Sequence, residues 1–448
     1  MFRRILIANR GEIAVRIIRT CRQMGIHTIA VHSTADADCL HTQLADESIC
    51  IGPPEPSRSY LDIPSIISAA EITDAQAIHP GYGFLSESTK FANICRECHI
   101  EFIGPNSHAI SLSGDKSACR VAVKAAGVPV VPGSDGLLDD PDEAIALGLQ
   151  IGYPLLVKAS AGGGGKGMRM AHNDATLKNA VNMASNEAMA AFGDGGVYLE
   201  KFIEGARHVE VQILADNHGK VVSLGERECS IQRRHQKLIE ETPSPGINAS
   251  MRSKLFKAAI KAAKAINYTN AGTVEFLLTP DGNFYFIEFN ARIQVEHPVT
   301  EEVTGIDLIK EQIRIADGEP LGYSSVKPQG AAIEARIYAE NPDKNFQPSP
   351  GLIRDCHIPG GLGVRVDTHI YGGYIVPQYY DSMLAKVIAR GKNRDEAIER
   401  LAAALDEFVT QGVETTANLC ARIVRGDRFR RGDLGPDLLD EYLPKSAN

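Results

Sequence analysis

The sequence predicts an α/β protein with an N-terminal parallel sheet covered by helices, a small second β/α unit and a larger mixed α+β region. Three observations support this prediction. Short apolar runs alternate with helical patterns over roughly the first hundred residues, which is typical of parallel sheets. A glycine-rich loop then lies between two apparent strands. The length of 448 residues predicts two to four domains.

The composition argues against several classes of function. Lys and Arg total 47 against 56 Asp and Glu, and the resulting charge of −9 does not suit a nucleic-acid or anionic-membrane partner. No apolar run approaches the ~18–20 residues of a membrane span, and the run at residues 5–8 is too short for a secretory signal. Nine scattered cysteines indicate reduced thiols. We therefore expect a cytoplasmic protein with no membrane and no nucleic-acid partner.

The N-terminal elements follow in order along the chain. Apolar runs predict strands over 5–8, 28–31, 77–78 and 102–103, and apolar residues at helical spacing predict helices over 12–24, 64–70 and 89–98. The pattern is Rossmann-like, but the fingerprint G-x-G-x-x-G is absent after the first strand. A dinucleotide cofactor is therefore poorly supported.

The later elements are less regular. A helical connection over 104–127 leads to a strand and linker at 128–133. The small unit has helices over 141–149 and 174–190 and strands over 155–158, 168–170 and 197–200, and a last strong helix is predicted over 394–409.

One cysteine cluster matches the haem-attachment pattern C-x-x-C-H, at Cys95, Cys98 and His99. Covalent haem would make this an electron-transfer protein. The alternative is a helix whose apolar face includes Phe91, Cys95 and Cys98, and we favour it because small thiols suit a buried face.

The glycine-rich loop spans 160–168 and contains four successive glycines. It is not a Walker A loop, because Gly167 stands where that motif needs Ser or Thr. Successive glycines let backbone amides approach a phosphate, and Lys158 and Lys166 add positive charge. A flexible hairpin tip is the alternative, and the two lysines favour phosphate binding.

Two acidic side chains are predicted to face each other in a hairpin. Residues 273–279 and 284–290 are strand-like, and Asp281-Gly282 between them indicates a turn. If Pro280 pairs with Asn283, the register places Glu275 opposite Glu288, with Cβ atoms about 4.5–5.5 Å apart. Two anions at that spacing need a cation, and oxygen ligands suit Mg²⁺. The alternatives are a solvated sheet face or a one-residue slip in register.

If the second strand continues beyond Asn290, alternation places Arg292, Gln294 and Glu296 on the same face as Glu288. Such a face can hold a small anion beside a base, since Arg offers fork-like donors and Glu can accept a proton. An ordinary polar strand face, with Arg292 and Glu296 as an ion pair, is the alternative. Two further polar segments, 225–237 and 334–336, would on their own indicate solvated faces.

Several long motifs in this sequence closely resemble those of biotin carboxylases. They are ILIANRGEIA (5–14), HPGYGFLSE (79–87), RHVE (207–210), RIQVEHPVT (292–300) and YDSM (380–383). The resemblance implies the ATP-grasp fold, with an N-terminal Rossmann-like parallel-sheet domain (1–103), a helical linker (104–130), a lid domain with the glycine-rich loop (131–203) and a C-terminal mixed α+β catalytic domain (204–448).

The resemblance also implies a reaction, in which Mg²⁺- or Mn²⁺-ATP activates bicarbonate to carboxyphosphate and the carboxyl group passes to N1′ of biotin. Carried over by motif, the metal ligands are Glu275, Glu288 and Asn290, and bicarbonate is held by Lys237, Arg292, Gln294 and Val295. The catalytic residues are Lys237, Arg292, Glu296 (the base) and Arg336, with Arg336 and Tyr82 contacting biotin. The residues implied in ATP binding are Lys116, Lys158, Gly164, Gly165, Met168, Glu200, Lys201, Phe202, Ile203, His208, Gln232, His235, Glu275, Leu277 and Glu288.

The implied partners are a biotin carboxyl carrier protein and carboxyltransferase subunits, and the resemblance implies a homodimer. The sequence has no Ala-Met-Lys-Met segment for biotin attachment, so we expect a free-standing subunit, most similar to that of acetyl-CoA carboxylase in fatty-acid synthesis. Three alternatives stay open: a pyruvate or other acyl-CoA carboxylase, another ATP-grasp carboxylate–amine ligase, and a nucleotide-binding module without turnover.

Overall fold

The N-terminal part of the chain is a five-stranded parallel sheet. The computed structural model describes residues 1–138, 141–160 and 168–444. The strands here are β1 (Arg4–Ile7), β2 (His27–Ser33), β3 (Glu47–Gly52), β4 (Ala77–His79) and β5 (Glu101–Phe102). The helices are α1 (Gly11–Gln23), α2 (Leu40–Leu44), α3 (Ile63–Ile72) and α4 (Thr89–Glu97). The sheet order β3-β2-β1-β4-β5, with every pairing parallel, confirms the predicted parallel sheet.

Two connecting helices lead into a small antiparallel unit. They are α5 (Ser107–Gly114) and α6 (Lys116–Ala125). The unit contains α7 (Pro141–Ile151), β6 (Leu155–Ala159), β7 (Met168–Ala171), α8 (Asp174–Phe192) and β8 (Val197–Lys201), with strand order β7-β6-β8. Helix α8 begins after Asn173, whose side chain accepts a hydrogen bond from the Thr176 amide, and ends at Gly193 with a φ of 74°. The unit has its own core, in which α7 and α8 cover the sheet.

The rest of the chain is built on an eight-stranded antiparallel sheet. Its order is β13-β12-β9-β10-β11-β14-β21-β19, and three two-stranded ribbons pair β15 with β16, β17 with β20 and β18 with β22. The strands are β9 (Arg207–Ala215), β10 (Val221–Arg233), β11 (Gln236–Thr242), β12 (Asn270–Leu278), β13 (Phe284–Asn290), β14 (Ala331–Tyr338), β15 (Glu340–Asn341), β16 (Gln347–Pro348), β17 (Gly351–Leu352), β18 (Asp355–His357), β19 (Val364–Thr368), β20 (Ile375–Val376), β21 (Met383–Gly391) and β22 (Val409–Gln411).

Helices cover this sheet on both sides. They are α9 (Ala249–Ala265), α10 (His297–Thr304), α11 (Leu308–Ala316), α12 (Arg394–Glu407), α13 (Ala417–Arg425) and α14 (Asp427–Arg431), and short 3₁₀ segments lie at Thr34–Asp36, Pro56–Arg58, Pro342–Lys344 and Leu438–Tyr442. One apolar cluster joins the N-terminal sheet to β9, β12 and α9, so the two large parts share a core. Among the described residues, no helix combines the length and the apolar character needed to cross a bilayer.

The structure corrects three expectations about local elements. Residues 128–133 form no strand and make only single bridges, Val130 to Phe286 and Gly133 to Glu200. Strand β13 ends at Asn290, and residues 291–296 are an irregular segment leading to α10, so the continued alternation predicted there is wrong. Helix α12 ends at Glu407 instead of residue 409. Cys95 is buried beside Phe91 on α4, which agrees with the apolar-face interpretation of that cluster.

Candidate active site

A cleft of about 1430 Å³ lies between the N-terminal sheet, the small unit and the eight-stranded sheet. The N-terminal part contributes the turns after β1 and β4, including Asn9 and Tyr82. The small unit contributes Lys158, and the large sheet contributes side chains from β9 to β14. The cleft therefore collects residues that are far apart in the sequence.

Three glutamates lie side by side on adjacent strands of the large sheet, and two of them, Glu275 and Glu288, line the cleft. Glu288 on β13 pairs with Glu275 on β12, and Glu275 pairs with Glu210 on β9. The predicted opposition of Glu275 and Glu288 is confirmed, but the turn does not produce it in the way expected. Close to the turn Phe276 pairs with Phe286, and a β-bulge at Ile287 then shifts the register by one residue. Without the bulge the two glutamates would lie on opposite faces of the hairpin.

Cations surround the first two carboxylates of this row. Glu275 lies 3.1 Å from Lys237 Nζ and 2.7 Å from His208 Nε2, and Glu288 lies 2.9 Å from Lys116 Nζ. Burial would raise the pKa of Glu275, but Lys237 and His208 hold that pKa below its ordinary value. Glu275 is therefore an anion in the folded protein.

The donor set at these carboxylates fits a hard divalent cation. Two directly opposed carboxylates at the edge of an open cleft supply the oxygen ligands that Mg²⁺ takes together with substrate phosphates. Asn290 is adjacent, but its amide nitrogen donates to Glu275 at 2.9 Å while its oxygen accepts from Arg292 at 3.2 Å. A half-turn of that amide would present the oxygen as a third ligand.

Lys237 is the centre of a buried ionic cluster beside the glutamate row. Its ammonium lies 2.6 Å from Glu210 and 2.6 Å from Glu296, in addition to its contact with Glu275. The other carboxylate oxygen of Glu296 lies 2.8 Å from Arg336, which also binds Glu240. Burial would raise the pKa of Glu296, but Lys237 and Arg336 hold it well below the ordinary range.

In the irregular segment 291–296, Arg292 and Gln294 contact each other although the backbone is not a strand. Arg292 donates to Gln294 Oε1 at 2.9 Å and to Glu87 at 2.9 Å. Glu87 also accepts from the backbone amide of Ala291 at 3.1 Å. The structure pairs Arg292 with Glu87, and Glu296 belongs to the Lys237 cluster, so the alternative of an Arg292–Glu296 ion pair does not describe this site.

The residues implied in nucleotide binding line the same cleft, and several of them belong to the small unit. Lys158 pairs with Glu200, and Lys201 donates to the Tyr153 carbonyl at 2.6 Å. Gln232 bonds His208 at 2.8 Å. The cleft is also lined by Lys116, Met168, Phe202, Ile203, His235, Leu277 and Val295. Gly164 and Gly165 of the glycine-rich loop lie outside the described residues.

Tyr82 reaches the cleft from the turn after β4. Asn9 fixes that turn by donating to the carbonyls of Pro80 (2.7 Å) and Tyr82 (2.8 Å). Gly81 has a φ of 62°, and a Cβ there would lie 3.0 Å from Asn9 Nδ2, so the turn requires glycine. The Tyr82 hydroxyl donates to Glu12.

Sequence reasoning did not single out Glu210, Glu87, Glu240 or Arg227 as members of this site. A signal existed for Glu210, because it lies two residues after His208 on a strand and alternation places both on one face. On its own the segment 225–237 indicates a solvated face, although its five cations, counting His235, exceed the number that an ordinary surface strand needs. In the structure Arg227 is fully buried and donates to Gln212, Thr273 and Thr300. Charge alone could not reveal that burial.

Comparisons with known proteins agree with the predicted family and fold class. Sequence models of three domains match the chain: "Biotin carboxylase, N-terminal domain" over residues 1–110, "Carbamoyl-phosphate synthase L chain, ATP binding domain" over 115–324 and "Biotin carboxylase C-terminal domain" over 334–441. The chain is 54% identical over 445 residues to biotin carboxylase 1 of Bacillus subtilis, covering 99% of each protein.

Two solved structures are similar over almost their whole length. A biotin carboxylase from Campylobacter jejuni in complex with a β,γ-ATP compound superimposes with a TM-score of 0.96 and 48% identity, covering 98% of this chain and 99% of that one. The biotin carboxylase domain dimer of the Hydrogenobacter thermophilus 2-oxoglutarate carboxylase, described with MgADP, ADP and bicarbonate, has a TM-score of 0.95 and 47% identity, covering 99% and 98%. The chain therefore belongs to the biotin carboxylase family, a family of ATP-dependent ligases with the ATP-grasp fold.

Proposed function

We propose that this protein uses Mg²⁺- or Mn²⁺-ATP to activate bicarbonate to carboxyphosphate and then carboxylates N1′ of biotin on a biotin carboxyl carrier protein. One observation carries the proposal. The buried cluster of Lys237, Glu296 and Arg336 lies directly beside the opposed Glu275 and Glu288. A cationic pocket for a small acid thus adjoins a pair of metal-type carboxylates.

The nucleotide would occupy the end of the cleft near the small unit. Lys116 and Lys158 would neutralise its phosphates, and Gly164 and Gly165 are further proposed phosphate contacts. The remaining residues proposed to contact ATP are Met168, Glu200, Lys201, Phe202, Ile203, His208, Gln232, His235 and Leu277. When bound to Glu275, Glu288 and Asn290, the divalent cation would neutralise phosphate charge during phosphoryl transfer.

Bicarbonate would bind between Arg292 and Lys237, with Gln294 and the backbone of Val295 as further contacts. Arg292 offers a planar fork that suits a planar oxyanion. An anion beside Lys237 would offset the cation that now keeps Glu296 ionised, so the proton affinity of Glu296 would increase when bicarbonate arrives. This is the physical reason for assigning the base role to Glu296.

Arg336 would stabilise the enolate-like form of biotin, whose ring would lie near Tyr82. Burial would lower the pKa of Arg336, but Glu240, Tyr338 and Glu296 hold it well above the ordinary value, so its charge is permanent. A fixed cation aimed at a developing oxyanion lowers the barrier without reorganisation.

We propose that the natural partners are a carrier protein and carboxyltransferase subunits, that the protein is a cytoplasmic homodimer, and that it serves acetyl-CoA carboxylase. The nine free cysteines suit a reducing compartment, and the Hydrogenobacter relative is described as a dimer. Another acyl-CoA carboxylase or a pyruvate carboxylase is the alternative, because a different subunit selects the acceptor. Identifying the transferase subunits that co-purify with the native protein decides between them.

The reaction is tested by measuring ADP release with bicarbonate and free biotin. We expect both to be required, and Glu288→Gln to abolish turnover because one opposed carboxylate is lost. The matched control is Glu399→Gln, on the exposed face of α12, where Glu399 pairs with Arg430. Near-normal turnover in Glu288→Gln would contradict the metal assignment. ADP release that depends on an amine and not on biotin would indicate another carboxylate–amine ligase. ATP binding without turnover would indicate a nucleotide-binding module.

A further inference from the structure

Lys386 is a fully buried cation that hydrogen-bonds the backbone of the segment 291–296. It lies on β21, with none of its side chain exposed. Its ammonium donates to the backbone carbonyl of Val295 at 2.9 Å and lies 3.3 Å from Glu12 and 3.9 Å from Asp367. Burying an ammonium is costly unless it is paired and hydrogen-bonded, and here one of its few partners is the backbone of the segment proposed to bind bicarbonate.

Glu12 extends this contact to Tyr82, in the N-terminal part of the chain. It lies in the first turn of α1 and is 2% exposed. One of its oxygens accepts the Tyr82 hydroxyl, and the other faces Lys386. Four groups therefore contact one another in sequence: the Tyr82 hydroxyl, the Glu12 carboxylate, the Lys386 ammonium and the Val295 carbonyl.

We infer that Glu12 and Lys386 are positioning residues that fix the Val295 carbonyl and couple the segment 291–296 to the Tyr82 side chain. The inference rests on the proposed function, since it assigns bicarbonate to that segment. Its consequence is specific. The Tyr82 hydroxyl donates its hydrogen bond to Glu12 and makes no contact with the Val295 backbone in this chain of contacts. Removing the hydroxyl should nevertheless weaken bicarbonate binding, because it changes the position of Glu12, then of Lys386, and finally of the Val295 carbonyl.

A purely structural role for Lys386 is the competing explanation. Lys386 would then only neutralise Glu12 and Asp367, and its loss would lower stability without a selective effect on one substrate. Binding measurements made without biotin separate the two explanations, because they also remove any direct contact between Tyr82 and the biotin ring.

The experiment measures bicarbonate affinity of the full-length protein by line broadening of ¹³C-bicarbonate, and ATP affinity by calorimetry. Lys386→Met should weaken bicarbonate binding about tenfold, as expected for a charged hydrogen bond, and Tyr82→Phe about threefold. ATP affinity should stay within about twofold, since none of the residues proposed to contact ATP belongs to the segment 291–296. The double variant should bind bicarbonate no more weakly than Lys386→Met alone.

The matched control is Tyr323→Phe, which removes a similar hydrogen bond to a glutamate (Glu311, 3.1 Å) outside the cleft, and it should bind like the wild type. If Lys386→Met does not fold, Tyr82→Phe and Glu12→Gln form the same cycle. A wild-type protein that binds no bicarbonate would overturn the proposed function and this inference with it. Two outcomes would overturn this inference alone, given normal bicarbonate binding by the wild type. One is unchanged bicarbonate affinity in Tyr82→Phe, and the other is a loss of affinity in the double variant equal to the product of the two single losses.

Discussion

Arg227 offers the sharpest test of how this site is held together. Its guanidinium is fully buried and binds Glu210, Gln212, Thr273 and Thr300, which lie on β9, β12 and α10. Replacing it with Met keeps the apolar bulk but removes every one of these donors. Among the residues that the structure describes, Glu210 would then keep Lys237 as its one cationic partner, beside two further carboxylates.

Removing one partner of a buried ion pair typically costs about 3–5 kcal/mol. We expect Arg227→Met to fall at the lower end, about 3 kcal/mol, because Lys237 still neutralises Glu210. The chain contains no tryptophan, so urea unfolding is followed by far-UV circular dichroism. Because the m-value grows with chain length, a loss of this size lowers the transition midpoint by less than about 1 M.

The control for this measurement is an ion pair at the surface. Arg430 lies 2.7 Å from Glu399, and both side chains are exposed. Arg430→Met should cost less than about 1 kcal/mol, as exposed pairs do. If Arg227→Met costs no more than this control, the claim that the buried arginine holds the three elements together is refuted.

Two further predictions concern buried titratable groups. Burial raises the pKa of Glu334 well above its ordinary range, so the folded state retains a proton there that the unfolded chain loses above about pH 4.3. The contribution of Glu334 to stability therefore falls as pH rises. Relative to the wild type, Glu334→Gln should gain about 1 kcal/mol of unfolding free energy for each pH unit from 5 to 7. A pH-independent difference between the two unfolding free energies would contradict this. Cys50 is exposed, whereas burial raises the pKa of Cys95 to about 12. Iodoacetamide at pH 8 should therefore label Cys50 before Cys95, as measured by peptide mass spectrometry. Rapid labelling of Cys95 in the native protein would contradict its buried position.

Several features of the fold and the site could be predicted from local sequence patterns. Alternating strand and helix patterns predicted the parallel N-terminal sheet, and long contiguous motifs predicted the family. The opposition of Glu275 and Glu288 was also predictable, since a hairpin joins strands that are adjacent in the chain. The expected turn would have given that pairing without a bulge, however, whereas the structure reaches it through the extra residue Ile287.

The sequence by itself identified candidate side chains for the proposed chemistry: acidic pairs, cations near glycines and a run of polar residues after a strand, all of them local signals. The tertiary structure alone decided which of them meet. Lys237, Glu296 and Arg336 come from β11, the start of α10 and β14, and only the long-range order of the eight-stranded sheet brings them within hydrogen-bonding distance. Burial likewise decided that Arg227 is an internal cation instead of a surface charge, because the cost of removing a charge from water depends on neighbours that local pattern cannot specify.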